Sequence, residues 1–440
     1  MINRVLLLLF FVVLALDFRG EQEGGGVFQY LIVGCSGVLG CALVGLNLHV
    51  FRTLQITTKR IVVLFFGVVI MSVFVYFKNG VVLDAYIRVV IPVFLGSVAF
   101  FAVAVVARSN SGFYFVIKAL LWAAAVSAVW RFFYAFYVVG LSVHETRYQI
   151  LSHGTLLLFG FSLYRVLFGP SFRLLWGCVL AVTSALVVLS ITRTHLLAAV
   201  VMLVAGFWVV FSVRGTEWAN VVRVRFLFAL AALSTVAIFV VLPATVSFRP
   251  EVLQVWSSRL LETKGANAAI DPTAGIRIAQ IIGQLKGFNG HELDALFGRG
   301  FGAPFYLDTD FMVQYAVSDS VREQDLLKLR MELWQNPDST YVPALFSGGL
   351  LFLFLIVYMF WAALRPLFLV SRFRDRVVLD AYGPLAFCII HFFVYGYFGN
   401  FFLDRFGAVV FSTLIALALV ISKGQGEANG FMKRIPRGGV

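Results

Sequence analysis

Val89-Val90-Ile91-Pro92-Val93-Phe94-Leu95-Gly96-Ser97-Val98-Ala99-Phe100-Phe101-Ala102-Val103-Ala104-Val105-Val106-Ala107 runs between Arg88 and Arg108 without one charged side chain. About 20 apolar residues wound as a helix cover the hydrocarbon core of a bilayer, so this stretch reads as one membrane span, near 86–107. The same rule finds further spans near 27–50, 61–77, 113–139, 150–166, 174–192, 195–213, 226–246, 342–364, 378–399 and 405–422. A shorter run, Val5 to Leu16, follows Arg4. Small residues are poorly placed there for a cleavage site, so it is expected to stay as a first helix, which makes about twelve spans.

Composition agrees. Of 440 residues, 61% are hydrophobic and 13% charged, and the mean hydropathy is +0.93, whereas soluble domains carry about 25% charged residues. The expected class is an all-α polytopic membrane protein. The formal charge of +13 would suit a nucleic-acid binder only if a soluble domain carried a basic patch, and no such run occurs, so no nucleic acid is expected as a partner. Cys35, Cys41, Cys178 and Cys388 lie inside apolar segments without CxxC spacing, which predicts core residues rather than disulfides or a zinc site.

Lys and Arg mark the cytoplasmic ends of spans. Placing Arg4 inside puts nineteen of the 35 cations on alternate connections, from Arg52, Lys59 and Arg60 to Lys423, Lys433, Arg434 and Arg437, with four of the 22 acids. That side then holds +15 and the rest −2. Both termini are expected in the cytoplasm.

The chain therefore divides into an N-terminal bundle of about nine spans (1–246), a large external loop (247–341), three C-terminal spans (342–422) and a cytoplasmic tail (423–440), in which Gly424 to Val440 reads as disordered. Two helices are predicted within the loop. Asp271-Pro272-Thr273 opens the first, and Ile278, Ile281, Ile282 and Leu285 recur at helical spacing, with Arg277, Gln280 and Gln284 opposite. Ser320 and Glu323 form a capping box for the second, which is expected to reach Trp334.

Chemistry is expected where polar groups meet the outer membrane face. Arg193, in Ser190-Ile191-Thr192-Arg193-Thr194-His195, sits at the outer mouth of two spans. An ionisable group there is costly unless it is paired or faces a cavity; the alternative is an arginine snorkelling to headgroups. Arg277 lies on the polar side of its loop helix, either solvated or turned toward the membrane. Arg299 belongs to Gly298-Arg299-Gly300-Phe301-Gly302, which reads as flexible backbone and not as a dinucleotide fingerprint, since no parallel strand and helix frame it. Asn336-Pro337-Asp338-Ser339-Thr340-Tyr341 leads into the next span. Asp338 is either a helix N-cap or a general base toward a sugar hydroxyl. Arg88 and Arg131 lie toward the outer ends of their spans and are candidates for the same cavity. No histidine has metal-ligand spacing, and His391 reads as a core residue.

With these parts in place, the sequence resembles the superfamily of O-antigen polymerases and O-antigen ligases, integral membrane glycosyltransferases with a GT-C-like fold. The resemblance rests on the span count, the loop near the C-terminal third, Ser190 to Arg193, Arg277, Gly298 to Gly302, and Asp338-Ser339-x-Tyr341 with Gly349-Leu350 downstream. It implies transfer of a glycan from an undecaprenyl diphosphate carrier to an acceptor hydroxyl at the periplasmic face, without cofactor or metal. Arg193 and Arg277 would neutralise the diphosphate as it leaves and Asp338 would act as base. Arg88, Arg131, Arg299, Ser339, Tyr341 and His195 would bind substrate. The implied partners are the lipid-linked donor, a glycan or lipid A-core acceptor, membrane lipid and a chain-length regulator protein. Ligases of the superfamily carry a histidine at the position of Asp338, and polymerases vary more there, so the resemblance leans toward a repeat-unit polymerase. The other readings are a ligase and, from another class, a transporter or flippase of lipid-linked sugars.

Overall fold

The computed structural model describes residues 1–17, 27–134, 137, 151–169, 174–189, 194–195, 197–208, 272–288, 292–308, 333–334, 339–368, 376–397 and 399–424. The expected span at 226–246, most of the loop helix from Ser320 and the tail beyond 424 lie outside the described residues.

Within them the chain is an all-α, multi-pass membrane protein. Its helices are α1 (Ile2–Ala15), α2 (Val27–Asn47), α3 (Ile56–Asn79), α4 (Leu83–Val106), α5 (Asn110–Phe133), α6 (His153–Leu167), α7 (Leu174–Leu189), α8 (Leu197–Trp208), α9 (Pro272–Lys286), α10 (Glu292–Phe297), α11 (Tyr341–Phe368), α12 (Arg376–Tyr395) and α13 (Arg405–Gly424). Five described helices are long and apolar enough to cross a membrane: Val27–Thr53, Ile56–Asn79, Leu83–Val106, Asn110–Phe133 and Tyr341–Leu367. Local sequence sets their ends. Ser109 and Ser152 cap α5 and α6 by accepting from Gly112 N (3.1 Å) and Thr155 N (2.9 Å), and Gly80, left-handed at φ 62°, closes α3.

The apolar run of α4 lies at the centre, against α13. A Cβ on Gly96 would meet Ser412 Oγ at 2.9 Å and the Ala408 carbonyl oxygen at 3.3 Å. This close backbone approach is how helices associate where lipid removes the hydrophobic drive. α1 also belongs to the core, with Leu7, Phe10, Phe11 and Leu14 buried. Outward faces of α2, α3 and α5 expose Leu31, Phe74, Phe77 and Trp122, as a lipid-facing surface does. Three of the four cysteines expected in the core, Cys35, Cys41 and Cys178, are on such exposed faces, and only Cys388 is buried. Their apolar surroundings in sequence are met by the outer surface of the bundle as well as by its core.

Charged ties divide the bundle into two ends. Arg4 donates to Ser111 Oγ (2.7 Å) and Arg108 to Thr53 Oγ1 (2.8 Å) at one. The opposite end carries the loop elements, and α11 breaks there. Gly349 has φ 68° and ψ −168° inside α11, so carbonyls of the preceding turn lose their helical donors. The glycine-rich segment supplies replacements: Arg299 N donates to the Phe346 carbonyl (2.7 Å) and Gly300 N to that of Ser347 (3.0 Å). Neither Gly298, at φ 80°, nor Gly349 has room for a Cβ, which would strike the Ser347 and Leu296 carbonyls respectively. Phe301 is fully buried, edge-on to Phe352 with ring centroids 5.3 Å apart. The segment read as flexible backbone is thus a fixed wedge in the bundle.

α9 begins at Pro272 as expected, but its faces are reversed. Gln280 and Gln284 are buried and Leu285 is exposed, because the helix lays its Ala279–Gly283 side against Tyr306 and Asp308: Asp308 N donates to the Ala279 carbonyl (3.2 Å) and a Cβ on Gly283 would collide with the Tyr306 carbonyl. Leu333–Trp334, expected to end a helix, is instead a short strand (β2) paired antiparallel with Phe305–Tyr306 (β1).

Replacing Gly349 by Ala puts a Cβ at a left-handed φ, a cost of about 1–2 kcal/mol before any clash. The melting temperature in detergent is expected to fall by several degrees, whereas Gly34→Ala, where nothing lies within 4 Å, leaves it unchanged.

Candidate active site at the loop end of the bundle

Asp404 stands immediately before α13 and accepts at both carboxylate oxygens. Oδ1 takes the backbone N–H groups of Phe406 (3.0 Å) and Gly407 (3.2 Å), an N-cap at the positive end of the helix. Oδ2 takes Arg131 Nη2 (2.7 Å) from the end of α5 and lies 2.7 Å from His153 Nδ1 at the start of α6. Arg131 also donates to the Leu151 carbonyl (3.3 Å). The next residue, Arg405, pairs with Asp17 at the end of α1 (2.8 Å). Burial opposes the charge of Asp404, but Arg131, His153 and the Gly407 N–H outweigh it and hold its carboxyl well below the usual carboxylate range.

The last turn of α12 lies alongside. His153 stacks on Phe392 (5.6 Å between centroids) and meets Tyr395 edge-on (5.5 Å). Tyr395 in turn stacks on His195 (5.4 Å), whose Nδ1 is 3.0 Å from His391 Nε2. On the same turn Tyr341 donates to the Phe393 carbonyl (2.8 Å), and Thr340 donates through N to Gly396 O (2.8 Å) and through Oγ1 to Gly399 O (2.8 Å). Two segments far apart in sequence, Thr194-His195 and Ser339-Thr340-Tyr341, thus share one structural neighbourhood.

Among the expected site residues, Arg131, His195, Ser339 and Tyr341 belong to this neighbourhood. Arg193 and Asp338 lie outside the described residues. Arg88 is half-exposed and paired with Asp84 (2.6 Å) one turn away. Arg299 is engaged in structure: its Nη1 donates to the Gly287 carbonyl (2.6 Å), its Nε lies 3.6 Å from the buried Asp294, and its carbonyl accepts from Asn79. Lys78 completes the tie to Asp294 (3.1 Å). Arg277 is half-buried on the inward face of α9. His391, read as a core residue, is buried but bonded to a second histidine. Asp404 and His153 were not expected in a site; the only local sign of Asp404 is an acid directly ahead of an apolar run, which also describes an ordinary N-cap.

Beside the break in α11, Leu296 and Phe297 of α10 and Leu350, Phe354 and Val357 of α11 line an open apolar groove of about 610 Å³. Its walls suit an alkyl or prenyl chain. Among the described residues no three His, Cys, Asp or Glu side chains gather as a metal site.

Asp404→Asn leaves Arg131 with a buried, uncompensated charge, a loss of about 3–5 kcal/mol for such pairs. The depressed carboxyl contributes stability above its unfolded value, near 4, and loses it as pH falls toward the folded value. The difference in unfolding free energy between wild type and variant is therefore expected to shrink below about pH 4, read by denaturant titration in mixed micelles.

No family model matches the chain, and no curated protein is detectably similar to it.

Proposed function

We propose that the protein is a membrane glycosyltransferase that moves a glycan from a polyprenyl diphosphate carrier to a sugar hydroxyl at the outer face of the bacterial inner membrane, as an O-antigen or exopolysaccharide repeat-unit polymerase. The observation that carries this reading is the convergence of Thr194-His195 and Ser339-Thr340-Tyr341 on the last turn of α12. The residues flanking them in sequence, Arg193 and Asp338, are the two whose chemistry the reaction needs together. In this reading Arg193 and Arg277 balance the charge that grows on the departing diphosphate, and Asp338 accepts from the acceptor hydroxyl. The apolar groove at α10 and α11 supports a lipid-linked donor. About twelve spans, a GT-C-like arrangement and cytoplasmic termini belong to the same proposal, and a ligase would differ only in its acceptor.

Two observations favour a transporter as the second reading: α11 is broken at Gly349, and His195, His391 and Asp404 are buried ionisable groups. Both features recur in transport proteins. The fixed wedge of the glycine segment argues against the large movement of α11 that transport would require.

Purified protein incubated with lipid-linked repeat units is expected to lengthen the glycan. Arg193→Ala and Arg277→Ala should each lower turnover at least about 100-fold, and Asp338→Asn about 100- to 10,000-fold. Translocation of the donor across vesicles without product would instead establish the transporter.

A further inference from the structure

The neighbourhood of the α12 end holds a proton acceptor that no motif announces. Asp404 uses both oxygens fully, two backbone N–H groups on Oδ1 and Arg131 with His153 on Oδ2. A carboxylate so engaged beside a guanidinium is ionised and only accepts. The hydrogen between it and His153 therefore resides on His153 Nδ1, and whenever the ring is neutral its one lone pair is on Nε2, at the opposite edge. That atom is buried and among the described residues has no hydrogen-bond partner, in a side chain that is itself buried. A bare imidazole nitrogen in the interior costs free energy, which an ion pair kept only for stability has no reason to retain.

The ring is held firmly. Phe392 stacks on it, Tyr395 meets it edge-on, and a Cβ on Gly407 would come within 2.7 Å of Nδ1. The charged and titratable groups around it are Arg131 from α5, Asp404 and Arg405 at the start of α13, Asp17 at the end of α1 behind Arg405, His391 and Tyr395 from α12, and His195 across Tyr395.

We infer that Asp404 and His153 form a carboxylate–imidazole dyad whose Nε2 receives the proton of the acceptor hydroxyl during glycosyl transfer. This rests on the transferase reading above and gives the proton its destination. The acceptor O–H bond breaks as its oxygen bonds to the anomeric carbon. The bond from that carbon to the diphosphate oxygen breaks with its electron pair, and the proton ends on Nε2. The dyad gains one positive charge as the leaving group gains one negative charge. Asp404 and Arg131 are positioning residues that fix the tautomer and balance the imidazolium. Loss of the proton to water resets the ring.

The test uses the full chain in lipid nanodiscs with ¹⁵N-labelled histidine, together with turnover of lipid-linked glycan by wild type, His153→Gln and, as a control at the other end of the bundle, His49→Gln. His153 is expected as the Nδ1–H tautomer in its ¹⁵N spectrum. His153→Gln should lose at least about 100-fold in kcat, whereas His49→Gln keeps wild-type turnover. An Nε2–H tautomer, or a His153→Gln variant near wild-type turnover, would overturn the inference. Absence of product with wild-type protein refutes the transferase reading itself; the tautomer then still decides whether Nε2 of the dyad is free to accept a proton.

Discussion

The ends of α1, α5, α6, α12 and α13 at the loop end are arranged around one buried carboxylate. Asp404 is affordable in an apolar bundle only because each of its hydrogen-bonding positions is filled, and the groups that fill them come from different parts of the chain: Arg131 from α5, His153 from α6 and two backbone N–H groups from the first turn of α13. An uncompensated charge there would cost several kcal/mol, so the helix ends that supply the partners are held in register. Arg405 extends the constraint to α1 through Asp17. The aromatic rings of Phe392 and Tyr395 close over His153 and carry the order on to His195 and the α12 terminus. That terminus receives Thr340 and Tyr341 in turn.

A second constraint acts on the other side of the same end. Backbone polar groups inside a membrane protein must be satisfied internally, and the break at Gly349 strips donors from carbonyls of α11. Arg299 and Gly300 replace them with their own N–H groups, and Phe301 anchors the segment in the core. The apolar groove is formed where this repair brings α10 against α11. Polar chemistry at the α12 end and a lipid-compatible groove at the α11 break are therefore consequences of two local satisfactions, one of a charge and one of a hydrogen-bond ladder.

The five long spans among the described residues were legible because length and hydropathy determine them directly. The run read as 86–107 is α4 at Leu83–Val106, and Pro272 opens α9 where helix-start chemistry places it. Periodicity misled on α9, whose glutamines face inward, because in a loop pressed onto another segment the buried face is the one that can approach closely, and Gly283 decides that rather than the isoleucines. The pairing of Phe305–Tyr306 with Leu333–Trp334 overrides local helix signals by long-range hydrogen bonding. Arg131 was read as a site candidate from its place toward the outer end of a span, and His195 from its place beside Arg193. Asp404 escaped because its meaning lies in Arg131, far back in the sequence, and a lone acid ahead of an apolar helix looks like any N-cap.

The most direct test of this account is a double-mutant cycle between Arg131→Met and Asp404→Asn, with unfolding free energies measured in mixed micelles. If the carboxylate is the organising charge, each single variant strands a buried partner, and the double variant should be more stable than the sum of the two losses predicts, with a coupling of at least about 1.5 kcal/mol. Losses that add within about 0.5 kcal/mol would mean that Arg131 and Asp404 act independently, and the order at the loop end would have to come from elsewhere.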